Sequence, residues 1–278
     1  MKNKVWFVTG ASKGLGLSLV KELLKKGYKV AATSRNLADL KAVAGNDSDS
    51  FLPLQTDLVN TSSVEKGISE TIRKFGQIDV VVNNAGYGLV GALEELSDEE
   101  TRQNFDVNVF GTLNVIRSVM PHLRKQGSGH IFNVASVGGF VGSFPGFGIY
   151  CATKFAMHGF TESLQAEAKE FGIRATVVSP GYLRTNFLGA GSLVVPKNEL
   201  PEYNLVREVQ NQHQQSINGA QPGDPDKAAD VIIKVADLEQ PPLHLYLGAD
   251  AYGLVGTKLT NLQTEMETVR ELATSINY

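Results

Sequence analysis

The chain has 278 residues, 42% hydrophobic and 20% charged, with a formal net charge of −3, which is enough apolar material for one large α/β domain over residues 1–278. Mixed charge signs, with no basic run beyond pairs such as Lys25-Lys26 and Arg124-Lys125, argue against nucleic acid or an anionic membrane as partner. The single cysteine, Cys151, excludes an internal disulfide. No apolar run approaches the ~20 residues of a membrane span, and Val5-Trp6-Phe7-Val8 is too short for a secretion signal, so a cytoplasmic location is expected. The five histidines show no metal-ligand spacing with one another or with Cys151, and no catalytic metal is expected.

Short apolar runs alternate with helical patterns through the first two thirds, the signature of βαβ units around a parallel sheet. Val5–Val8 predicts the first strand. Leu15, Leu19 and Leu23 form one face of the following helix, and Gly27 closes it. A second strand spans 30–34, and Asn36 is placed to cap the next helix. Phe51 to Leu54 gives a third strand, ending at Thr56-Asp57-Leu58. Val64, Ile68, Ile72 and Phe75 keep helical spacing before a buried strand at Val80-Val81-Val82. Ser97 with Glu100 forms a capping box for a long helix toward Leu123. Further strands are expected at 130–134, 175–178 and 243–247, with the helix of Tyr150 running to about Phe171. Residues 187–225 are broken by glycine and proline around a polar helical run, 203–215. Such an excursion is read as a substrate loop. A final helix, about 254–276, carries Leu259, Leu262, Met266, Val269 and Leu272 at mixed intervals, so it is expected to pack on the body or on a neighbouring subunit.

Two groups of residues carry chemistry. Gly10, Ser12, Lys13, Gly14, Leu15 and Gly16 follow the first strand and open a helix, where glycine permits close approach to a pyrophosphate and the free amides attract it. Ser34 and Arg35 end the second strand, where an acid would bind the ribose 2′-hydroxyl of NAD. No acid lies between Lys29 and Ala38, and Arg35 with Lys13 suits a 2′-phosphate, so NADP(H) is favoured over NAD(H). Tyr150 and Lys154 share a helix face at i and i+4. An ammonium beside the phenol is expected to bring its pKa down from ~10 toward the working range. The hydroxyl of Ser136 can hydrogen-bond a carbonyl oxygen as it gains charge.

Together, Thr9 to Gly16, Asp57, Asn83-Asn84-Ala85-Gly86, Asn108, Ser136, Tyr150-x3-Lys154 and Pro180-Gly181-Tyr182-Leu183-Arg184-Thr185 resemble the short-chain dehydrogenase/reductase family over about 5–190. The resemblance implies a doubly wound, Rossmann-like three-layer α/β fold with about seven parallel strands. It implies that Asp57 contacts the adenine amino group, that Asn83, Asn84, Ala85 and Gly86 line the cofactor crevice, and that Thr185 binds the nicotinamide carboxamide, with Leu58, Pro180 and Gly181 also among the cofactor-binding residues. Asn108 would hold a water linked to Lys154, and Lys154 would bind the nicotinamide ribose. A homodimer or homotetramer on the Asn108 and Tyr150 helices is also implied.

Phe140, Phe144, Phe147, Ile149, Tyr182, Phe187, Leu188, Tyr87 and Leu89 are candidate pocket walls, which favours a small hydrophobic ketone or aldehyde as substrate. The run 241–248 and the helix after it look more like the 17β-hydroxysteroid dehydrogenase-like carbonyl reductases. A 3-oxoacyl-[acyl-carrier-protein] reductase ranks second, and a non-catalytic NADP-binding redox sensor third. Intact Ser136, Tyr150 and Lys154 speak against the last.

Overall fold

The computed structural model describes residues 4–189 and 191–278. Its first half is three strand–helix units: β1 (Val5–Val8), α1 (Gly14–Lys25), β2 (Lys29–Ser34), α2 (Leu37–Ala44), β3 (Phe51–Gln55), α3 (Thr61–Phe75) and β4 (Val80–Asn83). A two-residue strand β5 (Gly88–Leu89), α4 (Asp98–Phe105) and α5 (Gly111–Gln126) lead to β6 (Gly129–Val134), α6 (Gly148–Ala168) and β7 (Ile173–Pro180). After β8 (Leu193–Val194), α7 (Asn204–Asn211) and α8 (Pro225–Ala236), the chain ends in β9 (His244–Leu247), α9 (Ala249–Thr268) and α10 (Arg270–Thr274).

Seven strands pair in parallel in the order β3-β2-β1-β4-β6-β7-β9, a doubly wound, Rossmann-like α/β sheet. Alternation along the strands divides the core. Trp6 and Val8 join Leu19, Leu23, Ile232 and Ile233 of α1 and α8 on one face, while Phe7 joins Ile68, Val119 and Leu164 of α3, α5 and α6 on the other. Strand order reverses between β1 and β4, and an open α/β sheet binds ligands in the crevice at that point.

Local signals act as the sequence suggests. Asn36 accepts from the amides of Ala38 and Asp39, and Ser97 with Glu100 completes the capping box. The helix that starts there is not uniform, however: Asp106–Phe110 forms a π turn between α4 and α5. The last helix begins five residues earlier than the apolar spacing suggests, at Ala249. Only its first turns pack on the body, through Ala251 and Val255. Leu259, Met266, Val269, Leu272 and Ile276 are exposed, so among the described residues the outer half is left largely uncovered.

The excursion is docked at several points. Its strand β8 pairs with β5, and Lys13 Nζ donates to Ser192 Oγ at 2.5 Å. Arg207 Nη2 donates to Glu95 Oε2 at 2.5 Å, Glu95 being fully buried at its side chain, and Arg207 Nη1 reaches Glu199 Oε1 at 2.6 Å. The backbone amides of Ala92 and Leu200 also donate to the Glu95 carboxylate.

Candidate active site

One cavity of about 1180 Å³ opens along the carboxyl ends of β1, β2, β4, β6 and β7. Its nucleotide side is built by the glycine turn. Gly10 has φ +65°, and a Cβ there would stand 2.7 Å from Ala85 Cα, so only glycine lets the turn lie against the end of β4. Asn84 fixes the two segments together: its Nδ2 donates to the carbonyls of Thr9 and Gly10, and its own amide donates to Thr9 Oγ1. The amides of α1 start without a side-chain cap or an acid in the first turn, leaving the positive end of the helix open to an anion.

Gly10, Ser12, Lys13, Gly14, Leu15, Ser34, Arg35, Asp57, Leu58, Asn84, Ala85, Gly86, Tyr150, Lys154, Pro180, Gly181 and Thr185 all line this cavity. Gly16 does not. It is buried behind the turn, where a Cβ would meet Asn84 Nδ2 and Gly10 O at 2.5 Å, so its work is packing. Lys13 also departs from expectation. Its ammonium is committed to Ser192 and to Gly191 O, which leaves Arg35 as the cation standing at the end of β2. Uncapped amides, a glycine cradle and a strand end that offers Arg35 in place of an acid fit a phosphorylated dinucleotide.

At the far end of β6, Ser136 Oγ accepts from the Gly138 amide at 3.1 Å, which occupies a lone pair and leaves the hydroxyl proton free to donate. Lys154 is buried, with Nζ donating to Val134 O at 3.0 Å and lying 5.8 Å from the centre of the Tyr150 ring. The expected lowering of the Tyr150 pKa is not what this arrangement gives. Burial pushes the phenol up, and the neighbouring Ser136 hydroxyl offsets only part of it. Burial likewise pulls Lys154 down to about 8. Desolvation is the largest cause of both shifts.

Asn108 lies behind the wall and not on it. Fully buried in the π turn, it accepts from the Tyr87 amide at 3.0 Å and donates to Tyr87 O and Thr153 Oγ1. Its side chain therefore clamps the chain after β4. Gly86 is small because this clamp is near: a Cβ would sit 2.9 Å from Asn108 Oδ1 and 3.5 Å from Lys154 Nζ.

The other half of the cavity is aromatic and aliphatic. Phe144, Phe147, Tyr182, Phe187, Leu188, Tyr87 and Leu89 line it; Phe140 and Ile149 do not. Phe140 packs instead on Tyr246 and the first turns of α9. His213 is a wall residue that sequence reasoning missed. Its Nδ1–H donates to Val209 O at 2.7 Å, and burial lowers its pKa, so the neutral ring presents a bare Nε2 that accepts from Tyr182 Oη at 2.9 Å. Nothing in the run Gln212 to Gln215 distinguishes this histidine from a surface residue.

A fold of this order, with a glycine turn at the strand reversal and Ser136, Tyr150 and Lys154 around one cavity, is that of a nucleotide-dependent oxidoreductase. The sequence profile of the short chain dehydrogenase family matches residues 4–192, and the chain belongs to that family. It is 35% identical over 271 residues to oxidoreductase BOA17 of Botryotinia fuckeliana, covering 97% of this chain and 98% of that one. A short-chain dehydrogenase from Streptomyces avermitilis superposes with a TM-score of 0.90 at 34% identity, over 99% of this chain and 98% of that one. A short chain dehydrogenase from Burkholderia cenocepacia, solved in complex with NADP, gives a TM-score of 0.73 at 26% identity, over 97% and 99% of the two chains. No helix among the described residues is long and apolar enough to cross a membrane.

Proposed function

We propose that the protein reduces an apolar ketone or aldehyde to the alcohol with NADPH, and that Ser136, Tyr150 and Lys154 are its catalytic residues. The observation that carries this reading is their position in one cavity, between a glycine-lined nucleotide half and an aromatic half. NADPH, when bound, supplies the hydride. Arg35 is assigned to the adenosine 2′-phosphate, in keeping with the NADP-bound relative and with the lack of an acid at the end of β2.

The remaining roles belong to the chain. Ser136, its oxygen held by Gly138, turns its proton toward the substrate oxygen and stabilises the charge that develops there. Tyr150 is kept protonated by burial, the form needed to donate as the alkoxide appears. Lys154, fixed by Val134 O, sets the position of its charge beside the phenol and toward the ribose. Asn108 is a positioning residue: it holds Tyr87 and Thr153, and through Thr153 the turn of α6 on which Tyr150 stands.

The test is NADPH oxidation with aryl ketones, steroid ketones, aliphatic aldehydes and 3-oxoacyl thioesters, with wild type and Tyr150→Phe compared. Turnover of an apolar carbonyl, reduced about 10²–10⁴-fold in the variant with NADPH binding retained, supports the reading. Full activity in the variant would remove Tyr150 as proton donor, and NADPH binding without turnover of any carbonyl would favour a binding protein.

A further inference from the structure

Away from the cavity, α6 and β9 bring together three side chains that the proposed reaction does not use. His158 and Glu162 stand one helical turn apart on α6, and His244 opens β9 beside them. One ligand atom from each lies within 4.8 Å of the others, and this is the one such cluster among the described residues. His244 Nε2 is 3.7 Å from Glu162 Oε1, and the rings of His158 and His244 stack at 5.8 Å. His158 is buried, with Nε2 2.9 Å from Ser179 Oγ. Glu162 and His244 are 53% and 37% exposed at their side chains, so the cluster is reached from solvent.

We propose that His158, Glu162 and His244 form a binding site for a zinc-class divalent cation. Two imidazoles and one carboxylate are the donor set of three-ligand zinc sites, with a fourth position left to water. Magnesium and calcium require oxygen donors throughout and are poorly served by it. Bonds of ~2.0–2.1 Å set tetrahedral ligands about 3.3 Å apart, so the cluster must tighten. Its two exposed members have the rotational freedom to do so, while His158 supplies the rigid member. His158 Nε2 shares a hydrogen bond with Ser179 Oγ, a rotatable hydroxyl that can turn aside when that nitrogen takes the ion. The proposal rests on coordination chemistry alone and stands whether or not a carbonyl is the substrate.

The test uses the full chain, freed of metal by chelator and dialysis. Zinc is titrated by calorimetry, and cobalt is followed by the visible absorption that a tetrahedral nitrogen-containing site produces. One zinc per chain in the micromolar range is expected, with affinity reduced about tenfold or more in both Glu162→Ala and His244→Ala, and no saturable binding of magnesium. These two substitutions lie at the surface and leave His158 in place, so unchanged thermal unfolding without metal is expected. Absence of saturable zinc binding, or affinity unaltered by either substitution, would overturn the site and leave Glu162 and His244 as a surface ion pair.

Discussion

Tyr150 and Lys154 are a pair whose chemistry runs against their stability. An ammonium held in a buried position costs free energy that a solvated lysine does not, and the pKa of Lys154 near 8, against 10.5 for the free side chain, expresses that cost. Between those two values the unfolded chain binds a proton that the folded chain does not, so this residue makes stability rise with pH from about 8 to about 10.5. Lys154→Met is therefore expected to flatten that rise and to stabilise the nucleotide-free protein by about 1–3 kcal/mol near neutrality while abolishing turnover. Denaturant titrations at pH 7 and pH 9.5 check both signs. The i, i+4 spacing made the pair legible in the sequence. Which way its pKa values move was not, because that depends on how much solvent the rest of the fold removes. Arg35 poses a simpler test: Arg35→Ser is expected to raise KM for NADPH about 10–100-fold, the loss of one charge-assisted phosphate contact, and to leave the much weaker use of NADH little changed. Steady-state kinetics with both nucleotides decide it.

At the scale of elements, the region between β7 and α8 is held by long-range contacts that no local pattern announces. Glu95 and Arg207 are far apart in the chain, and neither belongs to a motif. The buried carboxylate nevertheless takes the guanidinium and two backbone amides, joining α7 to the segment before α4. Removing one partner of a buried pair costs about 3–5 kcal/mol, since the other charge is left without compensation. Arg207→Ala is expected to show that loss in unfolding experiments. It should also speed proteolytic cleavage within 200–217 and raise KM for the carbonyl substrate without altering nucleotide affinity. Helices and strands with strong periodicity were readable, as were the Asn36 cap and the Ser97–Glu100 box. The pairing of β5 with β8 was not, because each is two residues long and has no alternation to display. The π turn escaped for a related reason: Asp106–Phe110 differs from an α-helix by hydrogen-bond register, which the apolar spacing of the flanking turns does not encode.

For the molecule as a whole, the sheet and the site were legible together because both depend on short runs at strand ends. The sheet order places those ends side by side, and the motifs spread from Gly10 to Thr185 meet in one cavity. What lay outside that logic was the commitment of individual side chains: Lys13 to Ser192, Asn108 to Tyr87, His213 to Tyr182. The outward faces of α5 and α6 are a further matter of whole-molecule architecture. Phe110, beside the start of α5, and Phe155 of α6 are 48% and 43% exposed, a pair suited to a two-fold contact between copies of the chain. Light scattering is expected to give at least a dimer, and Phe155→Glu to shift it toward monomer; a wild-type monomer would contradict this.

Insertions and deletions are not equally tolerable along the rod that runs from Asp98 to Gln126. A π turn accommodates an extra residue that an α-helix would not, so losing one of Asp106–Phe110 would let the rod close to a plain α-helix with its two halves still in register, whereas a loss elsewhere in the rod would turn one half by about 100° against the other. The first kind of loss would spare the Ser97 cap and its neighbours but remove the local backbone that aims Asn108 at Tyr87.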